Sequence, residues 1–330
     1  MEENLTKLDI KLLDNHYMVC NEGVYFKLGL LEGKVLLKLQ SGKTKESIIK
    51  EEKLSENEFT YILDAFKNNG IIGLTKREKF NILYMKFALF NVDRLLGTVC
   101  EWLKCHNKIM FMSLVNITFF ILMGLVIAIS SFEDIFRVKY LKLPLYQYFL
   151  AYCVYFIIIF FHELGHGFTC KYFGGKVGKV GIAFILFNPA MYCDISDVRM
   201  FKEKYKQILS SIAGFIVNAV FIGIFSIFYI IFKTNFFRVM IILNVTSILI
   251  NALPFVRLDG YWTLSFAIGV HNLYKKSIKK VVSLGQKNEF INWKDYFILG
   301  YGIINCIIIF YCCTQFATEL VRFVLEKLPI

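Results

Sequence analysis

The chain has 330 residues, 56% of them hydrophobic and only 19% charged, with 34 Phe and a formal charge of +12. Soluble domains run nearer half apolar and a quarter charged, so this balance points away from an ordinary soluble protein and toward a membrane protein. Nine cysteines, odd in number and partly inside apolar runs (Cys153, Cys306, Cys312, Cys313), make neither a disulfide framework nor a CxxC zinc site.

Residues 1–74 read as a separate soluble unit. The start, Met1-Glu2-Glu3-Asn4, is acidic and lacks an apolar run, so no cleavable signal peptide is expected. His16 to Cys20 and Val24 to Leu28 flank Asn21-Glu22-Gly23 as the arms of a hairpin. Helical patterning follows over Leu30 to Leu39 and Thr44 to Lys53. Ser55-Glu56-Asn57-Glu58 is a capping box that opens a helix with Phe59, Ile62, Leu63 and Phe66 on one face. Asn68-Asn69-Gly70 ends it, and Ile71-Ile72 is expected to return as a short strand. This order suggests a small α+β winged-helix-like domain. DNA is the usual ligand of such a fold, but ten basic against twelve acidic residues give the wrong sign for phosphate, so no nucleic acid is expected. A peptide adding a strand to the hairpin edge is one alternative, and a packing domain with no ligand is the other.

Residues 75–108 carry seven basic and three acidic residues among aromatics. That composition fits a basic interfacial linker helix, or one packed on the protein's own surface. Residues 109–330 then hold the apolar segments, near 109–131, 145–168, 208–232, 237–256 and 295–317, each a candidate to span about 30 Å of hydrocarbon. A short apolar stretch, Gly181 to Cys193, is broken by Asn188-Pro189 and reads as a re-entrant hairpin lining a cavity. The expected fold is therefore a mainly α polytopic membrane protein of about five to six hydrophobic segments. With a cytosolic N-terminus the inner loops carry fourteen Lys/Arg against seven outside, which supports that orientation in the cell membrane.

His162-Glu163-Leu164-Gly165-His166 closes the apolar run Ala151 to Phe161 and takes two of the five histidines. Residues four apart share a helix face, so both imidazoles can serve one metal, with Glu163 beside it as a base. Two buried histidines satisfied by backbone groups are the bland alternative. Ionisable residues at membrane depth are expensive and persist mainly for function. A catalytic zinc needs a third protein ligand. Asp259 lies just after an apolar run, where Pro254 breaks the helix and Gly260 permits a turn that re-aims the carboxylate. Asp194 and Asp197 are the other acids in reach of the same role, or of capping and loop pairing.

Here the chain resembles the site-2 protease family of intramembrane zinc metalloproteases. It matches in HExxH, in Asn251-Ala252-Leu253-Pro254-Phe255-Val256-Arg257-Leu258-Asp259-Gly260 as an NxxPxxxLDG element, and in Ala213-Gly214-Phe215-Ile216-Val217-Asn218 as a GPxxN-like helix with Phe215 in place of proline. The resemblance covers roughly residues 145–262. It implies Zn2+ on His162, His166 and Asp259, Glu163 as general base, and Asn218 first and Asn251 second as oxyanion donors, against a null of interhelical hydrogen bonding. Asn188-Pro189-Ala190-Met191-Tyr192-Cys193-Asp194 is similar to the branch found beside ribosomally made modified peptides. In that branch a domain of the pyrroloquinoline-quinone-biosynthesis type, which residues 1–74 resemble in element order, precedes the membrane part. The resemblance thus implies a peptide substrate, with a peptide-modifying enzyme and an exporter as further partners beside the bilayer. Cleavage of a membrane-anchored signalling regulator, and a non-proteolytic peptide binder or immunity protein, are the competing functions.

Overall fold

The computed structural model describes residues 5, 8–13, 16–21, 24–72, 84–137, 142–185, 188–283 and 292–327. They fall into two compact units, Met1–Ile250 and Asn251–Ile330. The first unit opens with three antiparallel strands in the order β1-β2-β3: β1 (Asp9–Leu13), β2 (His16–Asn21) and β3 (Val24–Leu28). The expected hairpin is β2 and β3, whereas β1 carried no separate signal. The turn residues Glu22 and Gly23 lie outside the described residues. Three helices follow, α1 (Leu30–Gln40), α2 (Lys45–Glu52) and α3 (Glu56–Asn68).

Each helix start has a local cause. Thr44 accepts from the Ser47 amide to open α2, and Ser55 with Glu58 forms the reciprocal capping box of α3. Val19, Val35, Leu36, Ile48, Phe59 and Phe66 are almost fully buried together. At about 1.5–3 kcal/mol per large apolar side chain removed from water, this cluster is what holds sheet to helices. Ile71 and Ile72 join the core but form a bend, not the expected strand. The reason is the Asn21 side chain, whose Nδ2 donates to the carbonyls of Gly70 and Ile71 and replaces ladder bonds with side-chain bonds.

The stretch read as a linker helix is in part a strand. β4 (Tyr84–Asn91) pairs antiparallel with β5 (Lys179–Ile185), which pairs with β6 (Asn188–Cys193), leaving β6 at the edge of a second three-stranded sheet. Long-range pairing of this kind has no local sequence signature, because the partner strand lies almost a hundred residues away. Only α4 (Asp93–Cys105) is helical, burying Leu96 and Cys100 on one face. The sheet rests on the N-terminal domain through a short 3-10 turn, Ser196–Met200. There Tyr25 donates to Asp197 at 3.2 Å, Arg199 stacks over the Tyr25 ring, and Met200 packs with Leu13 and Met18.

Among the described residues, four helices are long and apolar enough to cross a membrane: α5 (Asn107–Ser130), α7 (Leu145–Tyr172), α8 (Lys204–Phe232) and, in the second unit, α12 (Trp293–Lys327). A five-residue helix, α6 (Phe132–Phe136), follows α5. The segment expected over 237–256 is a shorter helix, α9 (Asn235–Asn251), of 17 residues. Within the first unit the long helices meet at glycines. A Cβ on Gly124 would stand 2.8 Å from the Gly223 Cα, and one on Gly165 would stand 2.8 Å from the Val217 side chain. Such close backbone approach is how helices associate where lipid removes the hydrophobic drive.

In the second unit α10 (Asp259–Ile268), α11 (Leu273–Val282) and α12 share a core of Tyr261, Leu273, Ile298 and Tyr301. Lys280 pairs with Asp295 at 2.7 Å, and the Tyr301 hydroxyl donates to the Pro254 carbonyl at 2.7 Å.

The turn after α7 is clamped by a carboxylate from α4. Asp93 Oδ1 accepts from Lys171 Nζ at 2.7 Å and from the Val177 amide at 2.8 Å. Burial alone would raise this carboxyl, but the Lys171 ammonium and the Val177 amide outweigh it and hold it below the ordinary value. The clamp is therefore fully present above the unfolded carboxylate value of about 3.9 and lost as pH falls through the depressed one. Exchange of the Val177 amide, corrected for intrinsic rate, is expected to accelerate only at pH below about 3.9 in wild type, and at every pH in Asp93→Ala, which removes the acceptor. An unchanged rate in Asp93→Ala would show that the clamp contributes nothing.

Candidate metal centre

The site grows from two facing helices with matching periods. His162 and His166 lie one turn apart on α7 and are both buried. Ser210, Gly214 and Asn218 lie one turn apart on α8 and are buried on its facing stripe. The helices meet rung by rung. His166 Nδ1 donates to the Ser210 carbonyl at 2.8 Å, and His162 Nδ1 to Asn218 Oδ1 at 3.3 Å. Between these rungs both rings lie over Gly214, where a Cβ would come within 2.3 Å of His162 Nε2 and 2.5 Å of His166 Nε2. No other residue type leaves that space. Asn218 Nδ2 in turn donates to Ser247 Oγ on α9 at 3.0 Å.

The hydrogen bonds decide the tautomers. An oxygen acceptor on each Nδ1 puts the proton there and the lone pair on each Nε2. The two Nε2 atoms face each other at 3.2 Å. Two nitrogen lone pairs at that distance repel unless a cation lies between them. Tetrahedral zinc with Zn–N bonds of 2.0–2.1 Å holds its nitrogens about 3.3 Å apart, so the pair fits the ion that the sequence implies.

Glu163, the next residue round the helix, accepts from the Cys193 amide through Oε2 at 2.9 Å. That amide is the last of the edge strand β6, so the sheet, through its outermost strand, orients the carboxylate. Asp194 and Asp197, the alternative ligands, serve the neighbouring turn. Asp194 accepts from the Ser196 amide, and Asp197 takes the Tyr25 hydroxyl on one oxygen and the Lys176 amide on the other.

Asp259 and Asn251 belong to the second unit by its bounds. Asn251 is the last residue of α9, and Asp259 is the first residue of α10. The turn between them is folded tightly, because a Cβ on Gly260 would meet the Ala252 carbonyl oxygen at 2.2 Å. The LDG glycine thus permits α10 to begin against the backbone of residue 252.

Sequence reasoning quoted Gly214 only as part of a motif, and it missed Ser210, Ser247 and the Cys193 amide. A signal for the first was present, since Ser210, Gly214 and Asn218 follow the same four-residue step as the histidines. Nothing local announces a backbone amide or a serine on a third helix.

No family model and no solved structure matches this chain. A stretch of 112 residues, 33% of the chain, is 30% identical to the Bacillus subtilis (strain 168) protein named "Putative peptide zinc metalloprotease protein YydH". The matched stretch spans 44% of that relative's length. Its name suggests a metalloprotease role and zinc.

Gly214→Ala adds one methyl where both rings stand, in a helix that alanine otherwise favours. The expected result is a folded protein that has lost at least about tenfold in zinc affinity, the lower end of what disturbing a metal's supporting residues costs. Metal analysis after dialysis checks it, and wild-type zinc content in this variant would remove the glycine from the site.

Proposed function

We propose that the chain is a zinc-dependent endopeptidase of the cell membrane that hydrolyses a small peptide, modified or still carrying its leader, within the bilayer near the cytosolic face. The observation that carries this reading is the pair of Nε2 atoms facing each other over Gly214 with Glu163 one residue away. We take Asp259 as the third ligand beside His162 and His166, the role that its LDG element implies. Two imidazoles and a carboxylate are the donor set of many catalytic zinc sites. Zinc held there would polarise a peptide carbonyl and acidify water at neutral pH.

The residues of the chain supply the rest. Glu163 takes a proton from water on one carboxylate oxygen while the Cys193 amide steadies Oε2, and it later returns that proton to the leaving amine. The oxyanion needs an additional donor. Asn218 and Asn251 are the candidates the resemblance implies, and Asn218 also supports the ring by giving its oxygen to His162 and an amide hydrogen to Ser247. The outer strand of the three-stranded sheet, β6, is the candidate edge for an extended peptide, whose carbonyls are exposed only when it is not helical.

Residues 1–74 are proposed to recognise that peptide, with the β1 or β3 edge adding it as a strand. What supports this is their contact with the turn after β6, through Tyr25 on Asp197 and through Leu13 and Met18 against Met200. A modifying enzyme and an exporter acting on the same peptide are the partners this reading carries, together with the bilayer. A peptide is also what the Bacillus relative's name says of that protein.

Glu163→Gln keeps shape and removes the base. It is expected to retain near-unit zinc and lose peptide cleavage by at least about a hundredfold, the usual worth of a general base. Turnover at the wild-type rate would overturn the assignment. Asp259→Ala is expected to weaken zinc binding while Asp194→Ala does not, and the opposite outcome would move the third ligand to Asp194.

A further inference from the structure

The relay that begins at His162 does not end at the asparagine. Asn218 is 1% exposed, Ser247 is 9% exposed, and the bonds run from His162 Nδ1 to Asn218 Oδ1 and from Asn218 Nδ2 to Ser247 Oγ. An amide has two faces that look alike in shape and opposite in chemistry. Turned over, Asn218 would present a hydrogen-bond donor to the Nδ1–H of His162, and the ring would lose its acceptor. Ser247 Oγ, on a third helix, accepts from Nδ2 and so ties down the far end of the amide with Oδ1 toward the ring. That helix, α9, runs four residues further to Asn251, where the turn carrying Asp259 begins.

We propose that Ser247 is a positioning residue of the metal centre, fixing through Asn218 the ring orientation and tautomer of His162. The proposal rests on the metal-site reading given above. It assigns α9 a part in the centre beyond packing: its hydroxyl orients a ligand on α7 while its C-terminal end leads into the third ligand. Removing the hydroxyl leaves the Asn218 amide to seek another partner, at the cost of the His162 bond. A serine that merely bridged two helices would affect stability without touching the metal.

The test uses the full-length protein in detergent micelles, with zinc affinity measured by chelator competition and the ligand field read from the cobalt-loaded form. Ser247→Ala is expected to bind zinc about 10- to 100-fold more weakly and to shift the cobalt spectrum. Ser247→Thr, which keeps the oxygen, should stay within about threefold of wild type and leave the spectrum unchanged. Asn218→Ala should lose as much as Ser247→Ala, and the double variant no more than either, because the two act in one path.

If Ser247→Ala matches wild type in affinity and spectrum while His166→Ala abolishes binding, the metal centre stands and the serine has no part in it. If Ser247→Ala and Ser247→Thr weaken binding alike, and both lower the melting temperature of the zinc-free protein, the residue is a packing contact and the proposal falls. If wild type and His166→Ala bind zinc equally, the metal-site reading itself fails and takes this inference with it.

Discussion

Two imidazoles occupy the space that a side chain on the facing helix would otherwise fill, and the arrangement of the first unit's long helices follows from that substitution. Gly214 lets the rings of His162 and His166 press against the backbone of α8. The same crossing brings Ser210 and Asn218 into hydrogen-bonding range one turn to either side. Sliding one helix past the other by a single residue would break both bonds and drive a side chain into the rings. Register is therefore set by polar geometry at the centre, in surroundings where apolar contacts with lipid and with protein differ little in energy.

Around this crossing the irregular segments are held by carboxylates rather than by a large apolar core. Asp93 bonds the turn after α7 at the Val177 amide, and Asp197 bonds it one residue earlier at the Lys176 amide. The two acids come from opposite sides in sequence, one from the start of α4 and one from the turn after β6. Their joint grip fixes where β5 begins, and through β5 and β6 where the Cys193 amide meets Glu163. The N-terminal domain reaches the same turn by way of Tyr25. A chain of short bonds thus runs from the N-terminal sheet to the carboxylate beside the histidines.

Much of this was legible beforehand, and what was not has a common cause. Local signals were read directly: the Ser55 box, the break at Pro254, the four-residue step of the histidines. The starts of the long apolar helices fell within four residues of the apolar runs because hydropathy and helical hydrogen bonding are both short-range, whereas α12 runs ten residues past its expected end. Strand β4 was missed because its partner lies across α5 and α7 in sequence. Ile71-Ile72 was misread as a strand because the Asn21 side chain takes over the carbonyls there. Of the site, the ligating residue types were visible, while the tautomers, the glycine's clearance and the hold on Glu163 depend on distances between helices. Residues that act through their backbone, as Ser210 and Cys193 do, leave no trace in the identity of the side chain.

The modest length of α9 bears on where the backbone that follows it finds hydrogen-bond partners. Seventeen residues rise about 25 Å, some 5 Å less than a hydrocarbon core of about 30 Å. A helix of that span ends before the far boundary, and the non-helical backbone from Ala252 to Leu258 then stands at a depth where lipid satisfies no peptide group. Tyr301 answers for the Pro254 carbonyl. The remaining amides and carbonyls of the turn require protein or water. The break in the helix, on the segment carrying Asn251 and Asp259, is therefore a place where backbone polar groups depend on neighbouring side chains such as Tyr301 for their partners.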